Sequence, residues 1–261
     1  MMLRYSGTCR LCGLPLAAGV DAVFERDLKT VRCVQCPTEA APVVAAPEVG
    51  VAGASARREF ERRRDAREQR IRENHPRLGG LILALSDDPQ STTAWERGAV
   101  GEELLAERLK DLPDTFRVLH DRRIPRTRAN IDHIVIGPSG VWVIDAKRYK
   151  GKRPALRVEG GILRARVESL RIGGRDGTKL VDGVQSQVAR VTVALRDVEV
   201  PVTGVLCFLE ADWPVIGGSF TVKSIRVVWP RLLIKQMTEI ATGFVDVDAI
   251  HARVAAAFPS A

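Results

Sequence analysis

Two carboxylates and an ammonium group are grouped in IDHIVIGPSGVWVIDAKRYKGK, residues 131–152. Asp132 opens the first apolar run, and Asp145, Ala146 and Lys147 close the second, across a Pro-Ser-Gly turn. A carboxylate pair beside a lysine can hold a hard divalent cation, Mg2+ or Mn2+, and orient water against a phosphodiester. A second set is Cys9, Cys12, Cys33 and Cys36, spaced C-x2-C-x20-C-x2-C. Two such knuckles bring four thiolates into tetrahedral reach of one structural Zn2+. The fifth cysteine, Cys207, lies in the apolar run VTGVLCFLE and reads as a small core residue, not a nucleophile.

The spacing around the turn predicts a β-hairpin. With Gly137 to Gly140 as the turn, Ile136 faces Val141, and counting back in pairs places Asp132 opposite Asp145. Directly opposed residues have Cβ atoms about 4.5–5.5 Å apart, and residues two apart on a strand share a face, so Lys147 joins the two carboxylates. Like charges that close are unfavourable without a cation between them. The alternative is an ordinary strand-end ion pair of Asp145 with Lys147 and a solvated Asp132. His133, on the face opposite Asp132, reads as packed rather than catalytic. For the cysteines, AVFERDLKTVRC reads as two short strands around an Asp-Leu-Lys turn, a zinc-ribbon pattern over residues 1–37. A redox C-x-x-C is the competing reading, but it needs one such motif beside a βαβ unit. The ribbon either stabilises its own small fold or touches nucleic acid directly.

The elements that must position these groups follow from composition and period. The chain has 261 residues, 45% apolar and 28% charged, enough for one sizeable core and a small second unit. Its net charge of +8 favours polyanionic partners, nucleic acid first. No apolar run is long enough for a membrane span and no signal peptide is visible, so a cytoplasmic protein is expected. Residues 38–56, rich in Ala, Pro, Val and Gly, read as a flexible linker. Residues 57–94 hold an arginine-rich helix, with Glu59–Arg63 and Glu68–Arg72 at i,i+4, and a connecting segment. Such a helix either lies along phosphates or is simply solvated.

The main domain is expected over residues 95–261. A helix begins near Trp95, with Val100, Leu104, Leu105 and Leu109 at helical spacing, and Gly98 and Gly101 would let its first turn approach a sheet. FRVLHDRRI then reads as a strand, and residues 200–211 and 220–229 as buried strands. Helices follow at PRLLIKQMTEIA and DVDAIHARVAAAF.

The hairpin, preceded by GAVGEELLAERL, resembles the nuclease-related domain, NERD, a branch of the PD-(D/E)XK restriction-endonuclease-like superfamily. The resemblance spans about Trp95 to about Leu195. It implies an α/β fold with a restriction-endonuclease-like core, a mixed central sheet flanked by helices. It also implies a catalytic set of Glu102 from the helix, Asp132, Asp145, Lys147 and a glutamine from a later helix. Gln187 is preferred for the last, with Gln185 as the alternative. One Mg2+ or Mn2+ would be held by Asp132, Asp145 and the carbonyl of Ala146, with Glu102 acting through water. Arg122, Arg123, Arg126 and Arg128 precede the hairpin, and Arg148, Lys150, Lys152, Arg153 and Arg157 follow its acidic end. They read as a phosphate track with little base preference. The expected function is metal-dependent hydrolysis of nucleic acid, DNA foremost, in processing or repair. The alternative is a zinc-containing module with a nuclease-like fold that only binds.

Overall fold

The computed structural model describes residues 2–25, 29–36, 47–86, 89–161, 165–196, 199–215, 217–239 and 246–261. The chain divides into two compact units, Met1–Ala46 and Pro47–Ala261.

In the first unit, β1 (Gly7–Thr8) pairs with β2 (Pro15–Leu16), and β3 (Ala22–Glu25) with β4 (Thr30–Cys33), both antiparallel. Leu3, Leu16 and Ala22 pack around Cys9 and Cys33, a core too small to hold a fold without further help. Asp27 and Leu28 of the expected turn lie outside the described residues.

The second unit begins at Pro47, ahead of the Trp95 at which the main domain was expected. Residues 37–46, which include the first part of the expected linker, lie outside the described residues, but the chain from Pro47 is fixed in place. His120 N–H donates to the Val49 carbonyl at 2.7 Å, and the Arg122 guanidinium donates to the Glu48 carbonyl at 2.7 Å. Gly50 and Gly53 have φ of 80° and 75°, and a Cβ on either would come within 2.2 Å of the His120 carbonyl oxygen or 2.8 Å of that of Ala99. The small residues that resemble a linker are there because the backbone passes this close to its neighbours. Helix α1 (Ala54–Asn74) follows, and both expected ion pairs form: Arg63 Nε to Glu59 at 2.5 Å and Arg72 to Glu68 at 2.6 Å. It contacts both α2 (Gly79–Leu85) and α3 (Gln90–Leu109).

The centre of the unit is a six-stranded mixed sheet. It contains β5 (Arg117–Arg123), β6 (Asn130–Gly137), β7 (Gly140–Arg148), β11 (Val202–Leu209), β12 (Phe220–Val222) and β13 (Ile225–Val228), ordered β12-β13-β11-β7-β6-β5. β5, β6 and β7 form an antiparallel meander, while β11 lies parallel to both β7 and β13. The expected single strand over 220–229 is two strands, because Lys223 and Ser224 adopt φ of 46° and 67° and turn the chain back on itself. A smaller antiparallel sheet of β8 (Pro154–Glu159), β9 (Val167–Ile172) and β10 (Arg175–Asp176) follows the hairpin. Helices α4 (Thr178–Ala194), α5 (Pro230–Glu239) and α6 (Val247–Ala257) complete the unit.

Strand alternation divides the core. Val135, Trp142, Ile144 and Ala146 face Leu105 and Leu109 of α3 and Leu233 and Met237 of α5. Ile134, Ile136, Val141 and Val143 face Val191 of α4 and Ile250 and Val254 of α6. β7 is buried along most of its length because it lies between two strands and two helical layers. Cys207 is wholly buried among the first set, and burial pushes its thiol up, as befits a core residue.

Candidate active site

The hairpin has the register counted from its turn: Gly137 pairs with Gly140, Ile136 with Val141, and pairing continues to His133 with Ile144. One step further, at Asp132 and Asp145, the ladder gives way to side chains. Asp132 Oδ2 accepts the Ala146 N–H at 2.8 Å, so Ala146 enters the cluster through its amide. Asp145, 7% exposed, accepts from Lys147 Nζ at 2.7 Å. Burial alone would lower the Lys147 ammonium, but the charges of Asp145 and Asp132 outweigh it and hold the group above its ordinary value. Lys147 is therefore a donor and a cation here, not a base. Burial, reinforced by the charges of Glu102 and Asp145, raises Asp132 well above the usual carboxylate range.

Glu102 comes from the middle of α3 and is 9% exposed. Gly101 lets the helix come close: a Cβ there would lie 3.1 Å from Cβ of Arg148 on β7, whereas Gly98 has open space around it. Burial, and then the charge of Asp121, push the Glu102 carboxyl up to about 7, against the opposing pull of Lys147 and of the Gly53 N–H. That N–H donates to Glu102 Oε2 at 3.0 Å.

Asp121 is a residue that the sequence analysis missed. The pairs His120–His133 and Arg122–Ile131 bracket it, so it stands level with Asp132 on the neighbouring strand, at φ 47°. Its carboxylate accepts from Ser55 N at 2.7 Å, from Ser55 Oγ and from Asn130 Nδ2 at 3.0 Å, and so caps the first turn of α1. The hairpin does not set the register of β5, which joins β6 through a separate loop, so Asp121 could not be counted into place from it. Glu102, Asp121, Asp132 and Asp145 thus bear on one another and on Lys147 through charge, four carboxyl groups to one ammonium. One oxygen each of Glu102, Asp132 and Asp145 already has a protein donor, so a cation would take the other.

Gln187 and Gln185 separate clearly. Gln187 Nε2 donates to the Asn130 carbonyl at 3.2 Å, two residues from Asp132, and its Oε1 is buried without a partner. Gln185 is exposed and donates to the Lys223 carbonyl at 2.9 Å. His133 is fully buried on the other face, Nδ1 to Nδ1 with His120 at 2.8 Å.

The basic track is only partly a surface. Arg122, 2% exposed, donates to the carbonyls of Phe258 and Ala255 as well as Glu48, and to Ser260 Oγ, so it ties the chain together and cannot reach phosphate. Arg148 pairs with Glu210 at 2.9 Å and Arg153 with Asp212 at 3.0 Å. Arg123, Arg126, Arg128, Lys150, Lys152 and Arg157 are exposed.

In the first unit the four cysteine sulfurs lie within 4.8 Å of one another. Cys9–Cys36 and Cys12–Cys33 are both 3.8 Å apart, the edge length of about 3.8 Å that a tetrahedron with Zn–S of about 2.3 Å requires. Hydrogen bonds with Cys33 and Cys12 push the Cys36 thiol up to about 12, while backbone donors at Cys12 and Cys33 bring Cys9 down to about 6.

Residues 97–209 match the family model of the nuclease-related domain, NERD. The match contains Glu102, the whole hairpin, Gln187 and β11, and it leaves out α1. A search of curated proteins found no match, nor did a search of solved structures. Among the described residues, no helix is long and apolar enough to cross a membrane.

Proposed function

We propose that the unit from Pro47 is a divalent-metal-dependent nuclease of the PD-(D/E)XK type, cleaving nucleic acid, DNA foremost, with little base preference, and that the four cysteines hold one Zn2+. The observation that carries this reading is Lys147 bridged to Asp145 at 2.7 Å beside the raised carboxyl of Asp132, inside the matched residues. Asp132 and Asp145, with the carbonyl of Ala146, would hold Mg2+ or Mn2+, and Glu102 would reach it through water. The ion, when bound, polarises the phosphodiester and lowers the pKa of water. Lys147, kept protonated, donates to the attacking water or a phosphate oxygen. Glu102, titrating at about 7, is the group suited to take up the proton that the water gives away. Gln187, whose Oε1 is buried without a partner, would complete the water's hydrogen bonding. Exposed Arg126, Arg128, Lys150 and Lys152 supply phosphate contacts.

The second reading is a binding module without catalysis, and it too has an observation behind it. Glu102, Asp132 and Asp145 each already accept a hydrogen bond within the protein, from Gly53, Ala146 and Lys147. Asp145→Asn separates the two. It keeps the side-chain shape and removes one charge, so cleavage of labelled DNA with Mg2+ or Mn2+ should vanish while binding persists. A variant as active as wild type would place the chemistry elsewhere, and a wild type that cleaves no nucleic acid with either ion would leave the binding module.

A further inference from the structure

We infer that the cleft between α1, the start of α3 and the β5–β6 loop is a binding groove for single-stranded nucleic acid that leads to the acidic cluster. The cleft is about 600 Å3, within the range of about 300–1,000 Å3 typical of sites that enclose a small ligand, so it admits a nucleotide or two and not a duplex. Arg58, Arg62 and Arg63 of α1 and Arg123 and Arg128 beside the loop line it, against one acidic side chain, Glu59. The aromatic wall is Trp95, 40% exposed, with the Arg63 guanidinium 5.6 Å from its ring centre. An exposed indole flanked by arginines is what an unstacked base and its phosphates require, since every base offers a π-face and only a single strand offers it freely. A duplex keeps its bases stacked and would use the arginines alone.

The cleft also has a direction. Ser55 and Asn130 line it, and both donate to Asp121, whose charge bears on Glu102. A strand lying on Trp95 would therefore pass the side chains that adjoin the candidate metal ligands. Most of this wall, from α1 and Trp95, lies outside the matched residues 97–209, so the extra helix supplies the selection of substrate form. The inference deepens the proposed nuclease function by naming that form, and rests on it only for the purpose of the groove.

The test is binding by the full chain, without added divalent ions, of a short fluorescein-labelled oligothymidylate and a hairpin duplex of equal length. Wild type should prefer the single strand, and the oligothymidylate should quench tryptophan fluorescence. Trp95→Ala should weaken single-strand binding about 5- to 150-fold, with little change for the duplex. Trp95→Phe should restore affinity without restoring the quench. Replacing Arg58, Arg62 and Arg128 together by alanine should flatten the salt dependence by up to about 0.7 log units per lost contact. Equal single-strand binding by wild type and Trp95→Ala would overturn the groove, as would preference for the duplex or equal competition by polyglutamate. The outcome is independent of cleavage: an inactive chain that binds in this way keeps the groove and loses the nuclease, and the reverse result loses only the groove.

Discussion

Glu102 is a carboxyl whose surroundings move its titration from the acid range close to neutral pH. Its folded-state pKa of about 7 lies above the ordinary 4.5, so the folded state holds the proton more tightly than the unfolded chain. The stabilisation is complete below about 4.5 and is lost as pH rises through about 7. Without added divalent ions, wild type should therefore lose up to about 3 kcal/mol relative to Glu102→Gln across that window, measured as urea denaturation at a series of pH values. A difference that stays constant with pH would show that the carboxyl titrates normally, and the proton-accepting role would go with it.

At the scale of elements, two glycines make opposite predictions. Gly53 begins α1 at φ 75°, pressed against the Ala99 carbonyl, with its N–H on Glu102. Gly53→Ala should destabilise the second unit by about 1–3 kcal/mol. Gly98 has open space in the middle of α3, so Gly98→Ala should stabilise it by up to about 1 kcal/mol. Thermal melts of both variants check the pair; a neutral Gly53→Ala would mean that α1 does not depend on this close approach. The same positions show what was legible in the sequence. Register is a local property of a two-residue turn, so the ladder from Gly137–Gly140 to His133–Ile144 could be counted, up to the step before Asp132 and Asp145. α1 could be read as a helix from its composition, but not as part of the second unit, because Ser55 and Asp121 meet across 66 positions and no local pattern encodes that. Arg122 misled for the same reason: a charged residue in a basic run looks solvated until the carbonyls of Glu48, Ala255 and Phe258 are seen to converge on it. The β8–β9–β10 sheet was not read from the sequence, although Leu156-Arg157-Val158-Glu159 and Leu170-Arg171-Ile172 alternate apolar and charged residues as strands do.

The whole molecule is two units with different sources of stability. The second has three hydrophobic clusters; the first has a handful of small apolar side chains around its sulfurs. Elemental analysis should find about one zinc per chain, and Cys9→Ser or Cys33→Ser should lose it, unfolding residues 1–46 while the melting transition of the second unit stays where it was. Zinc-free protein whose N-terminal unit resists proteolysis would refute this. The order of strands carries a consequence in time. β7 meets β6 across a tight turn, but its other neighbour, β11, pairs Val202 with Val141 and must be brought back over some sixty intervening residues. Closing that loop costs more entropy than closing the turn, and contacts near in sequence form sooner. Asp121, Asp132, Asp145 and Lys147 all belong to the early meander, and during synthesis they leave the ribosome before β11 does. The half-made sheet thus already carries the crowded carboxylates, and their mutual repulsion must be overcome by later apolar docking.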